Sequence, residues 1–188
     1  NKLFHIFNKL NESGLSTKQS NIKSSMVACT GSQYCPYSES DTKRHAAELA
    51  EYLENKVELD VPINIHLTGC SNSCAQHYIG DIGLLATSIR SDNDIQPAYH
   101  VFVGGDFGKR KSHGRQLYKA LTMNKLKLRI ESMLKFYINM KNRTHFKSRV
   151  GIKNDAYENK ESFKNYLRKF KIYQFLKKIE KKYIRSKK

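Results

Sequence analysis

Apolar and polar positions along the chain alternate in two different rhythms. Residues 3–10, LFHIFNKL, repeat at helical spacing and predict a short amphipathic helix. Ser, Thr, Asn and Lys then dominate to about Asn21, which reads as a loop. The short apolar run SMVAC predicts a buried strand. SESDTKRHAAELAEYLENK predicts a helix with Ser38 or Ser40 as N-cap, acids in its first turn, and Ala46, Leu49, Ala50 and Leu53 on one face. Pro62 opens INIHLT, where Ile63, Ile65 and Leu67 alternate with polar residues as in a half-buried strand. IGDIGLLATSIR and YHVFVGG predict two more strands, joined by the polar loop SDNDIQP. Beyond Gly105 the pattern turns helical. Leu126, Ile130, Met133, Leu134 and Tyr137 share a face, and Phe163, Tyr166, Leu167 and Phe170 continue the spacing. Together these elements predict an α+β domain, a mixed or antiparallel sheet with flanking helices, followed by a basic helical tail.

Composition sharpens the division. The 188 residues are 39% hydrophobic and 27% charged, enough for one core plus an appendage. No apolar run approaches the about 18 residues of a spanning helix, so no membrane association is expected. Residues 1–105 hold 8 Lys and Arg against 11 Asp and Glu, while residues 106–188 hold 26 against 6. The +17 net charge therefore comes from the second part, and all four cysteines lie in the first. The expected organisation is a lead-in over 1–20 continuing from an upstream part, a domain over 21–122, and a basic helical segment over 123–188. The chain begins with Asn and shows no secretory signal, which predicts a cytoplasmic protein whose targeting signals, if any, lie upstream.

The cysteines change the picture most. They occur as C-x5-C at Cys29 and Cys35, then 34 residues, then C-x3-C at Cys70 and Cys74, each pair beside a glycine. Two disulfides, a structural zinc, an iron–sulfur cluster and four unrelated buried thiols are the open readings. Disulfides suit a secreted chain, and zinc turns favour closer spacing than C-x5-C. Four thiolates are the usual complete set for an iron–sulfur cluster. Gly31 and Gly69 lack a Cβ and allow the chain to approach closely. If SNSCAQ starts a helix capped by Ser71, Asn72 or Ser73, then Cys70 and Cys74 share a face with Cβ atoms about 5–6 Å apart. The N–H groups of that helix start would favour thiolate. The two turns are expected to converge from adjacent strand ends.

The segments ACTGSQYC, HLTGCSNSCAQ and IGDIGLL resemble the siroheme- and 4Fe-4S-containing nitrite and sulfite reductases, closest to the assimilatory, ferredoxin-type nitrite reductase branch. The family's TGC-x-N-x-CAQ stands here as Thr68, Gly69, Cys70, Asn72, Cys74, Ala75 and Gln76. Val101 to Gly105 and Glu161 to Phe163 also look like family landmarks. The likeness is dense over 26–105 and thin afterwards. It implies that Cys29, Cys35, Cys70 and Cys74 ligate a 4Fe-4S cluster, and that Cys74 also bridges to the siroheme iron. It implies six-electron reduction of nitrite to ammonium, or of sulfite to sulfide, with ferredoxin or a reductase flavoprotein as electron donor. Asn72 and Gln76 become candidate hydrogen-bonding residues toward the cluster sulfur or siroheme.

Two departures stand out. Ser71 occupies the place of the family's usual Pro, implying a modest loss of rigidity. Family members run to several hundred residues in two related halves, and this chain resembles the last part of one. The resemblance therefore assigns no catalytic residue here and calls for the missing N-terminal half in cis or in trans; a fragment, a split-gene product and a degenerate remnant are the three forms this takes.

The remaining features read as structural. His66 is expected on the polar side of its strand, and His77 beside the second pair has no assigned ligand role, since four cysteines already complete a set. Lys43 and Arg44 read as a solvated helix face, with a siroheme carboxylate as the other reading. GGDFG lacks a following G-K-[ST] and reads as a strand-to-loop turn rather than a phosphate loop. The basic stretch reads as a solvated face, with an acidic electron donor as the second reading. The helical spacing of its aromatics argues for packing over nucleic-acid binding. The alternatives to a reductase part are a stand-alone iron–sulfur electron carrier or inactive remnant, and a basic nucleic-acid-binding protein with a structural metal.

Overall fold

The structure, a computed structural model, describes residues 2–15, 17, 20–91, 94–107 and 111–149, with side chains inside the last helix described to residue 139. The elements run α1 (Lys2–Glu12), β1 (Met26–Ala28), α2 (Thr42–Glu54), β2 (Ile65–Thr68), β3 (Ile82–Ser91), β4 (Asp94–Val103), β5 (Arg115–Thr122) and α3 (Met123–Arg149). The strands form one sheet in sequence order. β1 and β2, and β2 and β3, pair parallel. β3 with β4 and β4 with β5 pair antiparallel, giving the mixed sheet of an α+β domain.

Two crossovers of different kinds join the parallel strands, because a parallel pair cannot be closed by a tight turn. The first contains α2. Its Ala46, Leu49, Ala50 and Leu53 are buried against Ile65, Leu67, Ile82, Leu84, Tyr99 and Val101 on one sheet face. Burying a leucine such as Leu49 or Leu53, both 0% exposed, contributes about 2 kcal/mol. α3 adds Leu126, Ile130, Met133, Leu134 and Tyr137 to the same core, the stripe expected from the sequence. The second crossover, residues 69–81, contains no helix. It lies against the opposite face, where the His77 ring meets Phe102 of β4 and the His77 carbonyl sits over Gly83 of β3.

Several local expectations are corrected. β1 is a three-residue edge strand with one neighbour, so it is half-buried rather than buried, and Val27 is 43% exposed. The N-cap of α2 is Asp41, whose carboxylate accepts the Arg44 N–H at 3.2 Å; the first turn of the helix holds no acid. Ser40 instead turns inward. β3 and β4 extend through much of the expected polar loop into a long hairpin, paired from Ile82↔Val103 to Ser91↔Asp94. β5 stands where a helical pattern was read. Its register against β4 shifts twice, and Ala120 sits at φ 48, so its burial does not alternate as in a flat strand. SNSCAQ is not helical. β2 is buried at every position, His66 included, because both neighbours are parallel and both faces are covered.

α1 forms as expected and buries none of its residues. GGDFG begins as the expected strand-to-loop turn, with Gly104 and Gly105 N–H donating to the Asp81 and Gly80 carbonyls. Among the described residues no helix is long and apolar enough to cross a membrane. The stripe Phe163, Tyr166, Leu167 and Phe170 and the landmark Glu161 to Phe163 lie outside the described residues.

Candidate functional site

The cysteine turns leave the C-terminal ends of two adjacent parallel strands. Cys29 follows β1, and its N–H donates to Leu67 O at 3.0 Å, extending the ladder one step. Gly69, one step beyond β2, then donates its N–H to Cys29 Sγ at 3.2 Å. Thr42, the first residue of α2, donates its hydroxyl to Cys29 O at 2.9 Å, with its Oγ1 3.3 Å from Cys29 Sγ. That hydroxyl has one proton, so the Gly69 N–H is the donor available to a Cys29 thiolate. An N–H aimed at sulfur stabilises the charged form.

The first turn folds around Gly31 at φ 82, whose carbonyl accepts the Cys35 N–H at 3.0 Å. A Cβ on Gly31 would stand 3.0 Å from Thr42 N. The loop is stapled to the second turn by Glu39 N–H donating to Gly69 O at 2.8 Å. Gly69 has no room for a side chain: a Cβ there would stand 1.9 Å from Ser38 Oγ and 3.4 Å from Cys29 Sγ.

The second turn is a chain of three reverse turns. Ser73 N–H donates to Cys70 O, Gln76 N–H to Ser73 O, and Ile79 N–H to Gln76 O. Ser73 and Gln76 stand at the two junctions with φ 56 and 53, the left-handed conformation that interrupts a helix. Cys70 and Cys74 therefore do not share a helical face. His66 secures the chain from below: its Nδ1–H donates to Ala75 O at 2.8 Å, which fixes the tautomer. Ser73 Oγ lies 3.0 Å from His77 Nδ1. His77 is fully buried, and among the described residues its Nε2 and the Thr68 hydroxyl are buried without a protein partner.

The predicted site residues are thus distributed unevenly. All four cysteines are free thiols; Cys29, Cys35 and Cys70 are half-buried and Cys74 is exposed. Asn72 and Gln76 are exposed. Cys29 Sγ lies beside the Thr68–Gly69 peptide, one residue before Cys70, so the two turns adjoin at neighbouring strand ends. Among the described residues no three His, Cys, Asp or Glu side chains are gathered closely enough for a single metal ion. Sequence reasoning missed Thr42, His45, Ser40 and Tyr99. His45 left a signal, since it falls on the Ala46, Leu49 and Leu53 stripe of α2.

Burial, with the nearby His66 adding to it, lowers the His77 pKa from 6.5 to about 4. Unfolding restores ordinary titration, so between pH 6.5 and about 4 the unfolded chain binds a proton that the folded chain refuses. The His77 contribution to stability is therefore expected to fall across that window by up to about 3 kcal/mol and to level off below it, where the depressed carboxyls of Glu48 and Glu131 take over the acid loss. Burial and then Arg44 lower His45 as well, with the same sign. Urea unfolding of the metal-free chain at stepped pH checks this. His77→Gln is expected to flatten the slope to the part left by His45, and an unchanged slope would exclude His77 as its source.

Fold and site together define a mixed-sheet α+β domain that presents paired cysteine turns at the ends of parallel strands. The chain belongs to the family described as the Nitrite and sulphite reductase 4Fe-4S domain, whose model matches residues 20–187. It is 37% identical over 110 residues to a ferredoxin–nitrite reductase of Leptolyngbya laminosa, covering 58% of this chain and 22% of that one. It is 43% identical over 82 residues to a ferredoxin–nitrite reductase of Synechococcus elongatus, covering 44% and 16%. It is 32% identical over 122 residues to a sulfite reductase [ferredoxin] of Mycolicibacterium paratuberculosis, covering 62% and 22%. The structure of the Mycobacterium tuberculosis NirA protein superposes with a TM-score of 0.72 at 25% identity, over 89% of this chain and 29% of that one. The chain spans about a fifth of the length of the curated relatives it matches.

Proposed function

We propose that this chain is the cluster-binding part of a siroheme reductase that converts nitrite to ammonium, with sulfite to sulfide as the sister reaction. Cys29, Cys35, Cys70 and Cys74 are assigned as the four thiolates of one 4Fe-4S cluster, and Cys74 as the bridge to the siroheme iron. The observation that carries this reading is the stapling of the two cysteine turns at neighbouring strand ends, with the Gly69 N–H on Cys29 Sγ. The residues present fit such a group: four free thiols, one of them already hydrogen-bonded by backbone, and a glycine where any side chain would fill the approach.

Bound there, the cluster supplies electrons one at a time, and siroheme supplies the iron at which the oxyanion is reduced. The chain's own contribution is to hold and tune. The Gly69 N–H draws charge from the Cys29 sulfur, and His66 keeps the Cys70–Gln76 turns against the sheet. Asn72 and Gln76 are assigned to hydrogen bonds toward the cofactors near Cys74. Substrate-gripping residues are assigned to the rest of the reductase, in cis or in trans. The matches named for nitrite, at 37% and 43% identity against 32% for sulfite, support nitrite. Ferredoxin is the proposed donor, and the excess of Lys and Arg over residues 106–188 suits an acidic partner.

Anaerobic purification with the companion part supplied tests the reading. The expected result is about four iron and four acid-labile sulfide per chain, with a haem-like absorbance; a broad iron–sulfur band alone would indicate an electron carrier. A folded chain with neither iron nor sulfide would overturn the proposal. Cys74→Ser is expected to retain haem absorbance while losing magnetic coupling between haem and cluster in EPR. Intact coupling would remove Cys74 from the bridging role.

A further inference from the structure

Behind the first cysteine loop lies a buried polar network that the proposed chemistry does not use. Ser40, His45 and Tyr99 are 3%, 3% and 0% exposed and come from the loop end, α2 and β4. Ser40 Oγ lies 2.8 Å from His45 Nδ1 and 2.6 Å from Tyr99 OH, and His45 Nδ1 lies 3.0 Å from Tyr99 OH. Arg44, which only donates, approaches His45 Nε2 at 3.2 Å, so Nε2 accepts and Nδ1 carries the proton into the network. Burial pushes the Tyr99 phenol up and the His45 imidazole down, which keeps both neutral.

The backbone of Ser40 shows what this network restrains. Its carbonyl accepts the Ser32 N–H at 3.0 Å, the Ser38 hydroxyl at 2.8 Å and the Thr42 N–H at 2.9 Å. Ser32 follows Gly31 on the limb from Cys29, and Ser38 lies on the limb beyond Cys35. Both limbs of the loop are therefore tied to one peptide, and the side chain of that residue is tied to helix and sheet. An apolar trio would bury as well, but it would not fix the loop in one orientation; directional bonds do.

We propose that Tyr99 and His45, acting through Ser40, are positioning residues for Cys29 and Cys35, holding the first cysteine loop in its receiving arrangement before any cluster is present. This rests on the reading of the cysteines as a cluster-holding set. Beside the Glu39–Gly69 staple to the second turn, the loop thus has its own clamp from inside the core, whereas His66 holds the second turn from the other sheet face.

Isotope-coded iodoacetamide labelling of the metal-free, reduced 188-residue chain, read cysteine by cysteine by mass spectrometry, tests it. Tyr99→Phe removes one hydroxyl. It is expected to raise labelling of Cys29 and Cys35 about fivefold while leaving Cys70 and Cys74 within about twofold. Ser40→Ala should do the same, and the double variant should match the larger single effect, since both act through one network. Ile130→Val, a core change in α3, serves as the stability control and should leave the ratio between the two pairs unchanged. After anaerobic reconstitution, Tyr99→Phe should also shift the midpoint potential of the iron–sulfur signal. Equal labelling of both pairs in Tyr99→Phe and Ser40→Ala overturns the proposal, as does a ratio that moves equally in Ile130→Val. If the parent chain, with the companion part supplied, takes up no iron and sulfide, the cluster assignment fails, and the labelling ratio still decides the clamp.

Discussion

Gly83→Ala is expected to destabilise the chain by about 3 kcal/mol and to detach the second cysteine turn from the sheet. Gly83 sits within β3, paired with His66 on one side and Phe102 on the other. An added Cβ would stand 1.9 Å from His77 O, 2.8 Å from His77 C and 3.3 Å from its Cα. All three are backbone atoms, so no side-chain rotation relieves the contact. The crossover must lift, and the residues that pack through it lift too: His77 on Phe102, and Ala75, whose carbonyl accepts from His66. Gly83 has no positive φ, so alanine would otherwise gain a few tenths to about 1 kcal/mol from reduced unfolded-state entropy. The contact must outweigh that gain. Gly104 is the matching control: it stands at φ 81, and its added Cβ meets nothing within 4 Å, so Gly104→Ala should cost backbone strain of about 1 kcal/mol and no more. Urea midpoints of the two variants, together with labelling of Cys70 and Cys74, decide the matter. Gly83→Ala within 1 kcal/mol of the parent would show that the crossover does not rest on β3 (about the size of the entropy gain it opposes).

This glycine also marks how far the sequence could be read. Glycine inside a strand pattern signals close backbone approach, and IGDIGLL carried that signal, but not the identity of the approaching segment. Elements whose burial follows a simple period were legible: the Leu49 and Leu53 face of α2, and the Ile130 and Leu134 face of α3. β5 was not, because two register shifts and the left-handed Ala120 break its alternation. The C-x3-C spacing looked helical because four residues make about one turn. Ser73 and Gln76 are ordinary residues in left-handed conformations, and nothing in their composition announces it. The inward polar residues were hidden for a different reason. Ser40 was a sound N-cap by local rules, but Asp41 took that role, leaving the Ser40 hydroxyl for a phenol 59 positions away. The adjacency of the two cysteine turns was legible because parallel neighbours place their exits at the same end of a sheet.

Cys29→Ser is expected to reduce iron and acid-labile sulfide per chain by more than about tenfold, the largest loss for any single cysteine. The reason is the surroundings of each thiol. Cys29 is half-buried, its sulfur receives the Gly69 N–H, and its carbonyl is held by Thr42. That sulfur is therefore fixed before assembly, whereas Cys74 is exposed on a chain of reverse turns. An oxygen at position 29 is a harder and more basic donor than thiolate, and it retains its proton at neutral pH. The Gly69 N–H can still donate to a serine hydroxyl, so the metal-free fold should lose no more than about 1 kcal/mol. The comparison thus separates ligation from folding: near-parental urea unfolding with iron and sulfide almost absent identifies Cys29 as a ligand. Full iron and sulfide in a folded Cys29→Ser chain would remove Cys29 from the set and, with it, the convergence on which the cluster assignment depends.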